Sequence, residues 1–291
     1  MFELIHTAGN TYCLRCFSNI GVYHMGDGTV ILIDAGDHKK SVKDLITALD
    51  ERNWKVRAIY CTHSHLDHIA GNITLKEKYG CDIYASEKED FYGKHPQIDV
   101  AQIFNAIPVK LNPASALHNP GTETKLLSKD IMPEGFDIID LPGHTFNMVG
   151  IKTPDDVWFL GDAVLARETF ESYKIPYFFN INKSIETAEA VSQLEGKLFI
   201  PSHDKPYEDI SDLALYNANK LRELIEYILS ICNGRSFEEI LQKADEDLAL
   251  NFNLEKYARV QVTVRSLLQA LISDGRVSAE IQGGKLLYNV E

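Results

Sequence analysis

Four side chains that can bind metal ions lie within six residues of this sequence. The segment Thr62 to His68 directly follows the apolar run Ala58 to Cys61 and carries His63, His65, Asp67 and His68. Imidazole and carboxylate groups are common protein ligands of zinc, iron and manganese. At this density they favour a turn that folds around an ion over core packing or chance surface placement. The segment therefore predicts one corner of a metal site.

Three further candidate ligands each follow another strand-like run. His144 follows Leu141-Pro142-Gly143, Asp162 follows Leu160-Gly161, and His203 follows Ile200-Pro201-Ser202. Turns at the ends of strands can point side chains from distant parts of a chain into one cleft while the sheet stays rigid. Seven donors exceed what a single tetrahedral ion needs. Together they predict two ions that share one bridging ligand.

The elements that must position these ligands form an α/β pattern. Short apolar runs occur at 30–33, 58–61, 138–139, 157–160 and 198–200, and helical spacing of apolar residues occurs at 42–49, 72–79 and 184–194. Strands interleaved with helices predict an α/β layered domain. The segment 94–129 carries four prolines and little periodicity. We interpret it as a long excursion that covers a site or provides a contact surface.

The C-terminal part has a different organisation. We expect a metal-binding domain at 1–210, a connecting helix at 211–234 and a small domain at 235–291. The small domain shows a helix capped by Ser236 with Glu239 three residues later, a second helix, and a hairpin around Gly283-Gly284. This order resembles a winged helix. Residues 236–291 hold nine acidic and six basic residues, which favours packing or homodimerisation over DNA binding.

Composition narrows the possible location and binding partners of the protein. No run of eighteen apolar residues is present, and the first residues lack the features of a secretory signal, so we expect a cytoplasmic protein without a membrane span. A net charge of −13 disfavours non-specific binding of nucleic acid. The five cysteines are scattered, which argues against a disulfide framework. We interpret the Cys13-Leu14-Arg15-Cys16 pair as structural or incidental.

Taken together, the motifs resemble those of the metallo-β-lactamase superfamily. The family's HxHxDH motif is present as residues 63–68, its later His, Asp and His correspond to His144, Asp162 and His203, and Val30 to Gly36 is similar to its early strand that ends in Asp. The resemblance covers about residues 1–210. It implies a four-layer αβ/βα sandwich with two metal ions at one edge of the two sheets.

The resemblance also assigns roles to the ligands. It implies that the first ion binds His63, His65 and His144, that the second binds Asp67, His68 and His203, and that Asp162 bridges them. Asp34 would orient a ligand or a turn through hydrogen bonds. We expect zinc at both sites, with iron, manganese and nickel as alternatives, because the donor types alone do not choose a metal.

A hydrolytic function follows from such a centre. Two divalent ions can lower the pKa of a shared water and give a bridging hydroxide at ordinary pH. We expect it to attack an ester, thioester or lactone carbonyl of a small molecule, with Asp67 as the catalytic group that orients it or carries its proton. The HxHxDH set followed by Pro142-Gly143-His144-Thr145 is most similar to glyoxalase II-like hydrolases and lactonases.

Three other functions remain open at this point. The C-terminal pattern also resembles that of lactamase-beta-like endoribonucleases, which would make the protein a phosphodiesterase. A persulfide dioxygenase would use one iron on a subset of the same residues, and a regulator would bind DNA through the winged helix. His65 argues against an oxygen reductase, which would carry a carboxylate there. The aromatic stretch 168–183 is interpreted as packing against the following helix in preference to lining a substrate pocket.

Overall fold

The computed structural model describes residues 2–37, 40–104 and 121–291. Within it the chain forms two compact units, the first from residues 1–142, 146–164 and 194–210 and the second from residues 143–145, 165–193 and 211–291. Residues 165–193 thus cluster with the C-terminal part, whereas the sequence placed them before a boundary at 210. The division into domains at 210 and 234 stays a prediction.

The first unit contains two sheets. The larger has seven strands in chain order, antiparallel from β1 to β4 and parallel from β4 to β7. These strands are β1 (Glu3–Ala8), β2 (Thr11–Arg15), β3 (Ile20–His24), β4 (Thr29–Ile33), β5 (Lys55–Tyr60), β6 (Asp82–Ala85) and β7 (Lys125–Leu126). The smaller sheet has the order β11-β10-β9-β8, with β10 parallel to β11. Its strands are β8 (Asp137–Asp140), β9 (Val149–Lys152), β10 (Val157–Phe159) and β11 (Leu198–Ile200).

Side chains that alternate between the two faces of the larger sheet contribute to two separate apolar cores. Successive side chains of a strand point to opposite faces. Ile31 and Ile33 of β4 pack with Ile151 and Phe159 of the smaller sheet, whereas Leu32 packs on the other face with the first helices. The helices of this unit are α1 (Lys40–Glu51), α2 (Leu66–Ile69), α3 (Asn72–Tyr79), α4 (Glu87–Lys94) and α5 (Pro96–Phe104). The first helices thus pack on one face of the larger sheet and the smaller sheet packs on its other face. The predicted α/β class is confirmed.

The second unit is mainly helical. It contains α6 (Arg167–Tyr173), α7 (Ile181–Val191), α8 (Ser211–Cys232), α9 (Phe237–Leu248) and α10 (Leu254–Ser273), with a sheet of order β12-β14-β13 from β12 (Arg235–Ser236), β13 (Val277–Gln282) and β14 (Lys285–Val290). One apolar cluster joins Phe178 and Ile181 to α8 and α10. Helix, helix and hairpin follow in the predicted order, and the winged-helix assignment itself stays a prediction. None of the helices in the described part of the chain combines the length and apolar character needed to cross a membrane.

Two sequence expectations differ from the structure. The segment 94–129 contains the helix α5, which starts at Pro96, because proline is tolerated in the first turn of a helix, where its missing N–H costs nothing. The remainder of that prediction, residues 105–120, lies outside the described residues. The helix predicted at 184–194 begins at Ile181, where the side chain of Asn180 caps it by accepting from the Lys183 N–H.

Candidate metal centre

The predicted ligands of the first unit lie just beyond the carboxyl ends of its strands. His63 and His65 follow β5, Asp162 follows β10, and His203 follows β11. β10 and β11 are parallel neighbours and end at the same edge of the smaller sheet, which brings Asp162 within 3.3 Å of His203, whereas β5 belongs to the larger sheet. Gly161 has a φ of 56° and leaves room for the Met148 sulfur and the Thr62 side chain next to it. A side chain at Gly161 would strain this turn.

Two groups of side chains could each hold a metal ion. Within a group the ligand atoms lie within 4.8 Å of one another. Counting only residues of the first unit, one group consists of His63, His65 and Asp162 and is called the first group. The second group consists of Asp67, His68 and His203. All six were predicted from the sequence, and the structure brings them together.

Asp162 lies between the two groups. Its Oδ2 is 4.0 Å from His63 Nε2 and 3.3 Å from His203 Nε2, and its Oδ1 is 3.5 Å from His68 Nε2. One carboxylate therefore faces imidazoles of both groups. This is the arrangement that a bridging ligand requires.

His144, the remaining predicted ligand, belongs by clustering to the second unit. It lies in the turn between β8 and β9 and is buried. Within its unit the imidazole contacts the Tyr177 ring edge-on, with 5.4 Å between the ring centroids. Of the aromatic stretch 168–183, Phe178 is buried in the apolar cluster, in agreement with the predicted packing role.

Asp34 organises the loop that carries the dense motif. Its carboxylate accepts hydrogen bonds from the Thr62 N–H at 2.7 Å, the Thr62 hydroxyl at 2.8 Å and His68 Nδ1 at 2.9 Å. His63 Nδ1 lies 3.1 Å from the same Thr62 hydroxyl. Because Asp34 accepts from the Nδ1–H of His68, the neutral imidazole carries its lone pair on Nε2, which faces Asp67 and Asp162. This agrees with the orienting role expected for Asp34.

The loop between β2 and β3 supports the second group. The backbone carbonyl of Phe17 accepts from His203 Nδ1 at 2.7 Å, and the Ser18 hydroxyl donates to Asp67 Oδ2 at 2.7 Å. Asn19 fixes the turn that precedes His203 by donating to the Pro201 carbonyl. Sequence reasoning missed these contacts, because serine and asparagine beside a strand are ordinary loop residues.

Two carboxylates near the first group were also missed. Glu89 on α4 is buried and accepts from the N–H and the hydroxyl of Ser64. Asp99 on α5 places Oδ1 3.9 Å from His65 Nε2. Both are acidic residues in helices with no motif around them, so nothing in their local sequence separates them from surface residues.

The carboxylates and imidazoles of the second group shift one another's pKa. Burial by itself would raise the pKa of Asp67, but the imidazoles of His68 and His203 hold it well below its usual range. Burial opposes the charged form of both imidazoles, yet the neighbouring carboxylates raise the pKa of His68 well above its ordinary value and that of His203 to about 10. The same negative charge also attracts a divalent cation.

The donor set fits divalent metal ions. Among the described residues, the Nε2 atom of His68 is fully buried and makes no hydrogen bond, and its nearest charged neighbours are oxygens of Asp67 at 3.4 Å and Asp162 at 3.5 Å. A buried polar atom without a hydrogen bond is costly unless something else binds it. An ion held by His68 Nε2 and these oxygens would remove that cost.

The thiols do not offer a competing nucleophile. The five cysteines are free. Burial raises the pKa of Cys13 and of Cys16 to about 12 and that of Cys61 still further. These groups are therefore protonated at neutral pH and are poor nucleophiles, consistent with the structural role expected for the Cys13 and Cys16 pair.

Comparison with known proteins gives both sequence and fold relatives. Hydroxyacylglutathione hydrolase 1 of Vibrio vulnificus is 31% identical over 136 residues, which cover 47% of this chain and 43% of that protein. Hydroxyacylglutathione hydrolase of Hyphomonas neptunium is 30% identical over 155 residues, which cover 53% of this chain and 50% of that protein. The chain spans about half the length of these relatives.

Solved structures match over nearly the whole chain. A beta-lactamase domain protein from Burkholderia ambifaria gives a TM-score of 0.72 at 15% identity, covering 99% of this chain and 94% of its own. A metallo-beta-lactamase family protein from Thermus thermophilus gives 0.70 at 16% identity, covering 99% and 97%. At this identity the likeness supports the fold alone. The model of the metallo-beta-lactamase superfamily matches residues 14–203, well over half of the chain, and the protein belongs to that superfamily.

Proposed function

We propose that the protein is a binuclear metal-dependent hydrolase that cleaves an ester, thioester or lactone of a small molecule. The observation that carries this proposal is the Asp162 carboxylate, which faces imidazoles of both ligand groups. In the proposed assignment His63, His65 and His144 would hold the first ion, Asp67, His68 and His203 would hold the second, and Asp162 would be shared by both. Zinc is the proposed metal at both positions.

The chain's own residues supply the positioning and the proton transfer. When bound, a pair of divalent ions lowers the pKa of a water and polarises a carbonyl oxygen. His68 and His203 each keep Nε2 toward the carboxylates of Asp67 and Asp162. In each ring Nδ1 is engaged elsewhere, by Asp34 for His68 and by the Phe17 carbonyl for His203. The Asp67 carboxylate lies 3.4 Å from His68 Nε2 and 3.3 Å from His203 Nε2, so it is placed to orient the attacking water or carry its proton. Ser18 fixes the orientation of Asp67.

The relatives support a thioester as the first substrate class to examine. Both are named as hydrolases of hydroxyacylglutathione, which is a thioester. The aligned part covers only about half of each relative, so the acyl and thiol parts of the substrate are left open in the proposal. Esters and lactones present the same electrophilic carbonyl to the same centre.

The test is metal analysis of the purified protein combined with a hydrolysis screen. The screen covers thioesters including a hydroxyacylglutathione, lactones, esters, phosphodiesters and β-lactams. We expect two zinc equivalents per chain and hydrolysis of a carbonyl substrate. One iron per chain with sulfur-oxidising activity would identify a persulfide dioxygenase, and activity confined to phosphodiesters would identify a nuclease. Either result would refute the proposal.

We propose a supporting role for the C-terminal domain. Its β12, α9, α10 and hairpin follow the order of a winged helix, and its negative charge is unfavourable for phosphate contacts. It would serve packing or homodimerisation in a cytoplasmic enzyme. Molecular mass in solution and a salt-dependent DNA mobility shift distinguish a dimer from a DNA-binding regulator.

A further inference from the structure

Glu89 is a buried carboxylate beside the metal centre. It lies in the first turn of α4 and is 1% exposed. Oε2 accepts from the Ser64 N–H at 3.0 Å and from the Ser64 hydroxyl at 2.6 Å, and Oε1 accepts from the Asn147 N–H at 3.0 Å. Burying a carboxylate is expensive unless its oxygens are hydrogen-bonded. These three donors, together with the favourable field of a helix N-terminus, offset that cost.

The two partners of Glu89 lie in two different segments of the first unit. Ser64 stands between His63 and His65, so its backbone position fixes the spacing of two ligands. Asn147 follows the β8–β9 turn and is held from both sides, because its carbonyl accepts from the Ser86 hydroxyl at 2.6 Å while its N–H donates to Glu89. One turn of α4 therefore ties both segments together.

The second ligand group is supported by different residues. Asp67 is held by Ser18, His68 by Asp34, and His203 by the Phe17 carbonyl. None of these three contacts involves Glu89. Asp34 reaches both groups, through His68 and through Thr62 beside His63, whereas the contacts of Glu89 with Ser64 support the segment that carries His63 and His65.

We propose that Glu89 is a positioning residue that sets the affinity of the first metal ion without contacting it. This rests on the proposed two-ion function. A carboxylate is needed because both of its oxygens accept from N–H groups. Glutamine would present its amide NH₂ to one of those N–H donors, so Glu89→Gln breaks one contact and leaves two donors facing each other. Residues that hydrogen-bond a metal ligand directly are worth about 10- to 100-fold in metal affinity, and Glu89, which binds the backbone between two ligands, is expected at the lower end of that range.

The experiment measures metal binding by the full chain rather than turnover. Cobalt(II) is titrated into chelator-treated protein and followed by its visible spectrum. His203→Ala removes a ligand of the second ion, so the step that persists in this variant reports the first ion. Glu89→Gln, introduced both alone and into this background, should weaken that step about 10-fold and leave the second step of the single variant unchanged. Glu87→Gln, on the exposed side of the same helix turn, is the matched control and should leave it unchanged.

The outcomes separate this inference from the function on which it rests. Wild-type protein that binds fewer than two ions refutes the two-ion function. Two ions in the wild type with an unchanged first step in Glu89→Gln, or with both steps weakened equally, refute the role of Glu89 and leave the function standing. If Glu89→Gln does not fold, Ser64→Ala replaces it. That variant removes only the 2.6 Å hydroxyl contact and should weaken the first step by less, with the second step unaffected.

Discussion

Replacing Asp34 with asparagine isolates the hydrogen bond that orients His68. The side chain is almost fully buried and accepts three hydrogen bonds, from the Thr62 N–H, the Thr62 hydroxyl and His68 Nδ1. Asp34 has a φ of 62°, in the left-handed region where Asn and Asp are both found, so Asp34→Asn adds no backbone strain. The substitution keeps the shape of the side chain and changes one oxygen into a donor.

The expected effect follows from the donors that the carboxylate serves. If the remaining oxygen accepts from the Thr62 N–H, the new NH₂ group faces His68 Nδ1. His68 must then carry its proton on Nε2, where it competes with the second ion. Losing the charged acceptor costs about 1.5–3 kcal/mol. The affinity for the second ion should fall about 10- to 100-fold, equivalent to about 1.4–2.8 kcal/mol.

Zinc competition titration of chelator-treated protein measures this loss, and thermal unfolding of the same metal-free samples measures the stability change separately. Asp27→Asn is the control, because Asp27 accepts from Thr29 in an exposed turn of the same sheet. If Asp34→Asn binds the second ion as tightly as the wild type, the assignment of Nε2 as the ligand atom of His68 is wrong.

Three further predictions can be measured on the same protein. His63→Ala and Asp162→Ala should each lose at least one metal equivalent and hydrolytic activity; full retention of metal and activity in both would overturn the ligand assignment. Asp99→Asn should weaken metal binding less than about threefold, because its oxygen lies 3.9 Å from His65 Nε2, beyond hydrogen-bond distance; a loss as large as that of Asp34→Asn would show a direct bond. Hydrogen bonds from Ser236 lower the pKa of Glu239 from 4.5 to about 2, so this carboxylate stabilises the fold above pH 4.5 and the stabilisation is lost as pH falls toward 2. The free energy of unfolding, measured with urea at a series of pH values, should depend less steeply on pH in that window for Glu239→Gln than for the wild type. An equal dependence on pH in both proteins would contradict the capping role.

Local sequence determined those features whose partners are near in the chain. Residues 63–68 must be close in space because they are close in sequence, so their side-chain types alone indicate a metal site. The helix at Asn72 ends at Gly80, with a φ of 68°, as expected from a glycine that can adopt this conformation. The capping box of Ser236 and Glu239 is likewise confined to four residues and is present as predicted.

Tertiary structure decided what orients those ligands. Glu89 is 25 residues from Ser64, Ser18 is 49 residues from Asp67, and the Phe17 carbonyl is 186 residues from His203. An acidic residue on a short helix, or a serine in a loop, has no local feature that marks it as a partner of a metal ligand. Short motifs give the types of the proposed ligands. Which nitrogen of each imidazole can bind a metal depends on what binds the other nitrogen. That partner comes from another strand end, and only folding brings the two together.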